Sequence, residues 1–291
     1  NYFCNTSWHI YFIFVHSMKK KIVILGSTGS IGKKTFQIIK KNKKKFEVIL
    51  LTTNSNHKEI IKQAKELKVK NIIITSRKSY EIALKNKIKS KIKIYNDFKY
   101  LNKIFKKKVD YTMSAISGMA GLKPTILCIK YTRTIAIANK ESIICAWKII
   151  NSNLKKHKTN FIPVDSEHFS LWKIINKKNK SNIDKIYITA SGGPFLKYTK
   201  KRLKHVKPHE AIKHPNWKMG KKISIDSSTM MNKVFELIEA SKIFDIKLNK
   251  FEILIHPKSY VHAIVKFKNG IIKFIAHETD MSIPIANSIY Y

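Results

Sequence analysis

Residues 163–168 read Pro-Val-Asp-Ser-Glu-His, which sets Asp165 and Glu167 one residue apart beside His168. On an extended segment alternate side chains share a face, so the two carboxylates project together and Ser166 points away. Carboxylates this close repel and raise one another's pKa unless a cation sits between them, and a set of oxygen ligands suits Mg²⁺ or Mn²⁺ better than zinc. A solvated acidic turn would carry the same hexapeptide, so a third carboxylate is the deciding feature. The stretch from Asp226 to Ala240 supplies Glu236. On a single helix near 227–242, Asn232, Lys233 and Glu236 stand at i, i+1 and i+4, an amide, an ammonium and a carboxylate for one face. Ser227, near the start of that helix, adds a hydroxyl at the positive end of the helix dipole, where an anion is favoured.

Three further loops fit the same chemistry. Thr189-Ala-Ser-Gly-Gly-Pro-Phe follows a strand, and its Ser191-Gly-Gly turn is suited to a phosphate. His214-Pro-Asn-Trp-Lys-Met-Gly puts Trp217 and Met219 in a loop between His214 and Gly220, either as a lid that excludes water or as a structural tryptophan. Asn139-Lys-Glu-Ser ends a strand and opens a helix, the carboxyl edge at which doubly wound sheets bind ligands, and Lys140 there can carry charge towards a substrate oxygen.

The glycines Gly26, Gly29 and Gly32 lie between a strand-like Lys-Ile-Val-Ile-Leu and an amphipathic helix, where a backbone can approach a pyrophosphate and Thr28, Ser30 and Ile31 offer amide donors. Their spacing is G-x-x-G-x-x-G rather than G-x-G-x-x-G, and a ligand-free turn would look similar; the strand-turn-helix setting favours a dinucleotide. The second strand ends in Leu-Leu-Thr-Thr-Asn-Ser-Asn-His-Lys, with no acidic residue to bind a ribose 2′-hydroxyl or repel a 2′-phosphate, so NADPH is favoured over NADH.

The elements that position these groups follow from the pattern of apolar runs. From Lys20 onward, short Ile/Val-rich runs alternate with helical segments, a βαβ rhythm that predicts an α/β fold beginning with a doubly wound, Rossmann-like parallel sheet over residues 19–165. Beyond a polar connector at 176–185 the pattern changes to Gly/Pro-punctuated loops, one helix, and hairpin-like strands in Phe-Glu-Ile-Leu-Ile-His and around Asn269-Gly270, which predicts an α+β catalytic domain over 166–291. Residues 1–18 hold one apolar run, Ile10 to Val15, too short to span a bilayer, and read as a non-native or disordered extension with Met18 as the true start. The apolar ending Ala-Asn-Ser-Ile-Tyr-Tyr reads as a truncation inside a helix.

Composition narrows the partners. The chain carries 58 Lys and Arg against 18 Asp and Glu, a formal net charge of +40, yet the lysines recur along nearly its whole length rather than as a stripe interleaved with aromatics. That spread argues against a nucleic-acid face and fits a small anionic substrate equally well. The three cysteines, Cys4, Cys128 and Cys145, have no metal or disulfide spacing, which favours a reducing, cytoplasmic setting.

In this order, GSTGSIG, ANKES, PVDSEH, ASGGPF, HPNW-x-MG-x-KIS-x-DS-x-TMMNK and HP-x-S…DM-x-x-PIA, the sequence resembles the 1-deoxy-D-xylulose 5-phosphate reductoisomerases from about Lys20 to its last residue. The resemblance implies Asp165, Glu167 and Glu236 as ligands of Mg²⁺ or Mn²⁺, with Lys140, Glu167 and Glu236 carrying the chemistry. It implies Lys140, Ser166 and Glu236 at the ketose, Ser191, Ser227, Asn232 and Lys233 at its phosphate, His214 in contact with it, Trp217 and Met219 on a mobile flap, and Ser259 and Met281 close by. Thr28, Gly29, Ser30, Ile31, Asn139, Glu141 and Gly220 match NADPH contacts, and Asn54 and Asn56 fall at the 2′-phosphate. There the family usually has a glycine and a basic residue before an asparagine, so Asn54-Ser55-Asn56 is a weakened version of that site. The implied reaction is rearrangement of the ketose phosphate and reduction by NADPH to 2-C-methyl-D-erythritol 4-phosphate, in non-mevalonate isoprenoid biosynthesis. A homodimer is implied too, as are a C-terminal helical domain that this chain lacks and, for a eukaryotic source, a plastid-type organelle. An ordinary NADPH dehydrogenase would need the nucleotide loop but not three carboxylates; a basic nucleic-acid-binding protein would need neither.

Overall fold

Strands and helices alternate through the first half of the chain. The structure, a computed structural model, describes residues 19–85, 91–212 and 220–291. The strands are β1 (Lys20–Leu25), β2 (Phe46–Thr53), β3 (Asn71–Ile74), β4 (Lys93–Tyr95), β5 (Val109–Ser114), β6 (Thr132–Ile137) and β7 (Asn160–Pro163). They form one sheet in the order β4-β3-β2-β1-β5-β6-β7, with every adjacent pair parallel. Between them run α1 (Ser30–Lys41), α2 (His57–Glu66), α3 (Arg77–Lys85), α4 (Leu122–Ile129) and α5 (Lys140–Lys156). The order reverses between β1 and β5, the switch point at which open α/β sheets leave a crevice for a ligand.

Side-chain alternation explains why helices cover both faces. Along β1, Ile22 and Ile24 join a core with Phe36 and Ile39 of α1, while Val23 and Leu25 join a second core with Leu101, Phe105 and Cys128 on the opposite face. The edge strands β4 and β7 were not expected. The first has three residues, and the second ends in Pro163, which an edge tolerates because one side of its backbone has no ladder to complete.

The second half builds α6 (Ser166–Ile174), β8 (Ile183–Ala190), α7 (Lys221–Ser228), α8 (Met231–Phe244), β9 (Phe251–Ile255), β10 (Val261–Phe267), β11 (Ile272–Ala276) and α9 (Ser282–Tyr290). Its sheet has the order β11-β10-β8-β9. The turn at Gly270 (φ 84°) joins β10 and β11 as the expected antiparallel hairpin. The strand Phe251–Ile255 is not hairpin-like: it adds parallel to β8 at the other edge. One face of this sheet is buried against α6 and α8 through Leu171, Ile174 and Ala240. The alternating residues on its other face include Tyr187, Ile264, Phe274 and Ile272, and Phe274 is 59% exposed. Helix α9 returns to the first sheet, where Ile285 and Ile289 are fully buried in the core of Ile22 and Ile24. Lys20 Nζ donates to the Ile289 carbonyl at 2.7 Å, and the Tyr111 hydroxyl pairs with Ser288 Oγ at 2.6 Å.

Two local expectations are corrected. The segment 165–167 is not extended: Asp165 is the N-cap of α6 and its carboxylate accepts from the Ser166 amide at 3.1 Å. The helix expected near 227–242 is two helices, α7 and α8, broken where Met230 takes a left-handed conformation (φ 61°). Ser227 therefore stands in the last turn of α7 instead of at a helix start, and no helix-dipole contribution of that kind is available to it.

Candidate active-site cleft

A cleft of about 670 Å³ opens between the carboxyl ends of β5, β6 and β7 and the start of α6, α7 and α8. The first turn of α1 forms one wall through Ser30 and Ile31. Behind them Gly26 is at φ 77°, and a Cβ on it would stand 2.8 Å from the Ala115 carbonyl oxygen; one on Gly32 would stand 2.1 Å from the Gly26 carbonyl oxygen. Only glycine lets β1, α1 and the end of β5 approach this closely.

At the floor, two buried ammonium groups meet a set of carboxylates. Lys140 Nζ lies 2.8 Å from Asp165 Oδ2, 2.7 Å from Asn232 Oδ1 and 3.5 Å from Glu236 Oε1. Lys233 Nζ bonds Glu167 Oε1 and, at 2.5 Å, Glu236 Oε2. Asn232 Nδ2 donates to Glu236 Oε1. Asp165, Glu167 and Glu236 each offer an oxygen within 4.8 Å of the others. Ser166 does not point away, since its hydroxyl donates to Glu167 Oε2 at 2.5 Å, as the first turn of a helix permits and an extended strand would not.

The charges are unevenly matched. Burial would lower the Lys140 ammonium, but Asp165 and then Glu236 hold it well above its usual value. Burial likewise opposes Lys233, which Glu167 and Glu236 keep raised. Asp165 is held low against its burial by Lys140, and Glu167 against its burial by Lys233. Glu236 is pushed up to about 7 by burial and by the Glu167 charge. Glu239, one turn further along α8, is pushed up to about 7 by burial, against the pull of His168. Four carboxyl groups thus face two lysines. A surplus of buried hard oxygen donors is what a divalent cation would relieve, so the residues present fit such an ion.

Most of the expected residues share this cleft: Ser30, Ile31, Asn139, Lys140, Glu141, Asp165, Ser166, Glu167, Ser191, Gly220, Ser227, Asn232, Lys233, Glu236, Ser259 and Met281 all line it. Ser191 opens a turn in which Gly193 (φ 69°) packs so tightly that a Cβ would stand 2.7 Å from the Ser227 carbonyl oxygen, which brings the two serine-bearing loops together. Asn139 caps α5, accepting from the Ser142 amide at 2.7 Å and donating to the Gly118 carbonyl at 2.7 Å. Ser259 has φ 56°, and Met281 precedes α9.

Thr28, Gly29, Asn54 and Asn56 are not among the lining residues. The Thr28 hydroxyl pairs with Thr53 Oγ1 at 2.7 Å, and Gly29 is the N-cap of α1. Asn54 accepts from the Thr75 hydroxyl at 3.1 Å, while Asn56 caps α2 by accepting from the Glu59 amide at 3.2 Å. His214, Trp217 and Met219 lie outside the described residues.

Several cleft residues escaped the sequence reading. Lys222 bridges Glu141 at 3.0 Å and Asp226 at 2.6 Å, the second pair at the i, i+4 spacing that could have revealed it. Lys34 reaches Asp280 at 2.5 Å across 246 residues of chain, for which no local signal exists. His262, on β10, is stacked on His277 with ring centroids 3.8 Å apart; burial lowers its pKa against the charge of Glu167.

The family model for 1-deoxy-D-xylulose 5-phosphate reductoisomerase matches residues 22–147, and that for its C-terminal domain matches residues 161–244. A protein of that name from Pelagibacter ubique (strain HTCC1062) is 58% identical over 274 residues, 94% of this chain and 71% of the relative. The solved Zymomonas mobilis reductoisomerase in complex with NADPH superimposes with a TM-score of 0.86 at 37% identity, over 94% of this chain and 71% of that one. A DOX-P reductoisomerase in complex with NADPH, fosmidomycin and magnesium gives a TM-score of 0.87 at 34% identity, over 94% and 70%.

Proposed function

This chain belongs to the 1-deoxy-D-xylulose 5-phosphate reductoisomerase family, and from that premise we infer how its residues turn 1-deoxy-D-xylulose 5-phosphate into 2-C-methyl-D-erythritol 4-phosphate with NADPH and a divalent metal. The observation that carries the assignment of roles is the convergence of Asp165, Glu167 and Glu236, from two helices, on one cleft that the first turn of α1 also lines through Ser30 and Ile31. When bound, a divalent cation supplies Lewis acidity to the ketose oxygens and NADPH supplies hydride.

Asp165, Glu167 and Glu236 hold the cation. Lys140, fixed between Asp165 and Asn232, keeps its positive charge at working pH and directs it towards the substrate's oxygens as negative charge develops on them. Ser166 orients Glu167. Ser191 and Ser227, brought together by the Gly193 turn, form the phosphate side with Asn232 and Lys233, and the fixed phosphate is the handle by which the enzyme holds the reacting carbons. The amides of Ser30 and Ile31, at the positive end of α1, receive the pyrophosphate. Asn139 and Glu141 fix the nicotinamide side, with Glu141 held by Lys222.

We further propose a division into an NADPH-binding unit, 19–165, and a catalytic unit, 166–291, of which α9 is an arm laid over the first. Homodimerisation through the open face of the second sheet is favoured by the exposed Phe274 and Ile272 beside Ile264. A cytoplasmic setting without membrane or nucleic-acid partners fits the scattered lysines, and no described helix is long and apolar enough to cross a membrane.

The test is NADPH oxidation with 1-deoxy-D-xylulose 5-phosphate, with and without EDTA, on the wild type and on Glu236→Gln. Chelator should stop wild-type turnover, and Glu236→Gln should lack metal-dependent turnover while binding NADPH nearly as the wild type does. Turnover that survives EDTA would indicate an ordinary dehydrogenase; full activity in Glu236→Gln would refute the assignment of the ligands.

A further inference from the structure

The metal-binding carboxylates come from two helices that no covalent link holds in register, α6 with Asp165 and Glu167 and α8 with Glu236. His168 spans that gap. Its ring is fully buried, and Nε2 lies 2.9 Å from the backbone carbonyl oxygen of Glu236 itself. A carbonyl only accepts, so the proton is on Nε2. The other nitrogen, Nδ1, faces Glu239 Oε2 at 3.5 Å, and Glu239 is one turn beyond Glu236 on the same helix and 2% exposed. Neither His168 Nδ1 nor Glu239 Oε2 has a hydrogen-bond partner among the described residues. One imidazole thus stands between two points of α8, bonded to a main-chain oxygen at the metal ligand and facing a side-chain oxygen behind it.

We propose that Glu239 is a positioning residue for the metal site: through His168 it sets the separation of α6 and α8, and with it the spacing of the three ligand oxygens. The inference rests on the reading of Asp165, Glu167 and Glu236 as the cation's ligands. The fold itself does not call for an acid here. The Glu239 side chain is buried on the side of α8 that faces His168 and Asp165, and a buried carboxyl incurs desolvation that an apolar side chain there would not. What the acid adds is a polar neighbour, 3.5 Å from Nδ1, for the ring that also bonds the Glu236 carbonyl. Ligand oxygens must be held to about half an ångström for a cation to bind well, and partners behind the ligands commonly provide that restraint.

The test is Mn²⁺ binding to the full chain, by calorimetry or by the paramagnetic resonance of free Mn²⁺, beside NADPH binding by fluorescence. Glu239→Leu should weaken Mn²⁺ about 10- to 100-fold, the usual effect of losing such a partner, with NADPH affinity unchanged. Glu239→Gln, whose amide can donate to Nδ1, should bind Mn²⁺ near the wild-type level. Glu239→Asp keeps the acid but withdraws the carboxyl by one methylene; it should weaken Mn²⁺ too, and serves if the leucine variant does not fold. Wild-type Mn²⁺ affinity in the leucine and aspartate variants would overturn the proposal, as would an equal loss of NADPH binding. A second Mn²⁺ bound by the wild type and lost in the leucine variant would also overturn it, by making Asp165, His168 and Glu239 ligands in their own right. Glu236→Gln is the control: if it too binds Mn²⁺ normally, the ligand reading fails, whereas normal binding in Glu239→Leu beside loss in Glu236→Gln refutes the positioning role alone.

Discussion

Replacing Lys233 by methionine tests whether the site is held by charge balance. Lys233 is 7% exposed and its ammonium bonds both Glu167 and Glu236, so its removal leaves Asp165, Glu167, Glu236 and Glu239 facing Lys140 alone. Breaking a buried pair by deleting one partner costs about 3–5 kcal/mol, a large share of a typical domain's stability. The loss should depend on pH in a fixed direction. Glu167 has a folded pKa below its usual value because Lys233 overcomes its burial, so the pair's contribution is present above about pH 4.5 and fades as pH falls through the folded value. Glu236, at about 7 in the wild type, rises further once the Lys233 charge is gone. Above pH 7 the variant's folded state therefore retains a proton that the wild type has released, and loses about 1.4 kcal/mol more per pH unit until its own pKa is passed.

Urea unfolding of both proteins in EDTA should show the loss of the Glu167 pair already at pH 5 and a larger deficit at pH 8, where the Glu236 contribution is added. Mn²⁺ added at pH 8 should recover more stability in Lys233→Met than in the wild type, because the cation no longer competes with an ammonium for the same oxygens. Saturation a hundredfold above Kd is worth about 2.7 kcal/mol. A deficit equal at both pH values, or below about 1 kcal/mol as for an exposed pair such as Lys180 and Asp245, would refute the reasoning.

Gly32→Ala should cost about 1–3 kcal/mol, because the new methyl meets the backbone of Gly26 and Ser27 rather than a yielding side chain. The cost is read as a lower melting temperature and weaker NADPH binding in fluorescence titration, and unchanged NADPH affinity would show that the turn is not the pyrophosphate cradle. Phe274→Glu, on the open face of the second sheet, should convert a dimer to monomers in sedimentation velocity without changing NADPH binding. A wild-type monomer, or a variant that still dimerises, would exclude that face as the interface.

The sequence was most legible where chemistry and local structure coincide. The glycine-rich turn lies between a strand and a helix, so its local fold, and the ligand class proposed for it, rest on one short segment. The acidic pair was read correctly as convergent but for the wrong reason: the helix cap at Asp165, not strand alternation, brings it to Glu167 and Ser166. The break between α7 and α8 had no sequence signal, because methionine rarely takes a positive φ and nothing around Met230 marks it. Lys140 was visible at a strand end, but its partners Asp165 and Asn232 are contacts of the folded chain, as is Asp280 for Lys34. Sheet edges were lost for a simpler reason. β4 and β7 are too short for a periodicity to emerge, and the pairing of β9 with β8 depends on a crossover that no turn residue announces.

The return of α9 to the first sheet bears on how this chain is made. Ile285 and Ile289 seal the same core as Ile22, and the hydrogen bond from Lys20 to Ile289 closes a loop of 269 residues. A nascent chain leaving the ribosome would complete all seven parallel strands well before that seal is available, and would carry an uncovered apolar strip until the last turns of α9 emerge. Contacts so distant in sequence form slowly. Chaperone demand during synthesis should therefore fall on the amino-terminal half, even though the piece that seals it lies far along the chain.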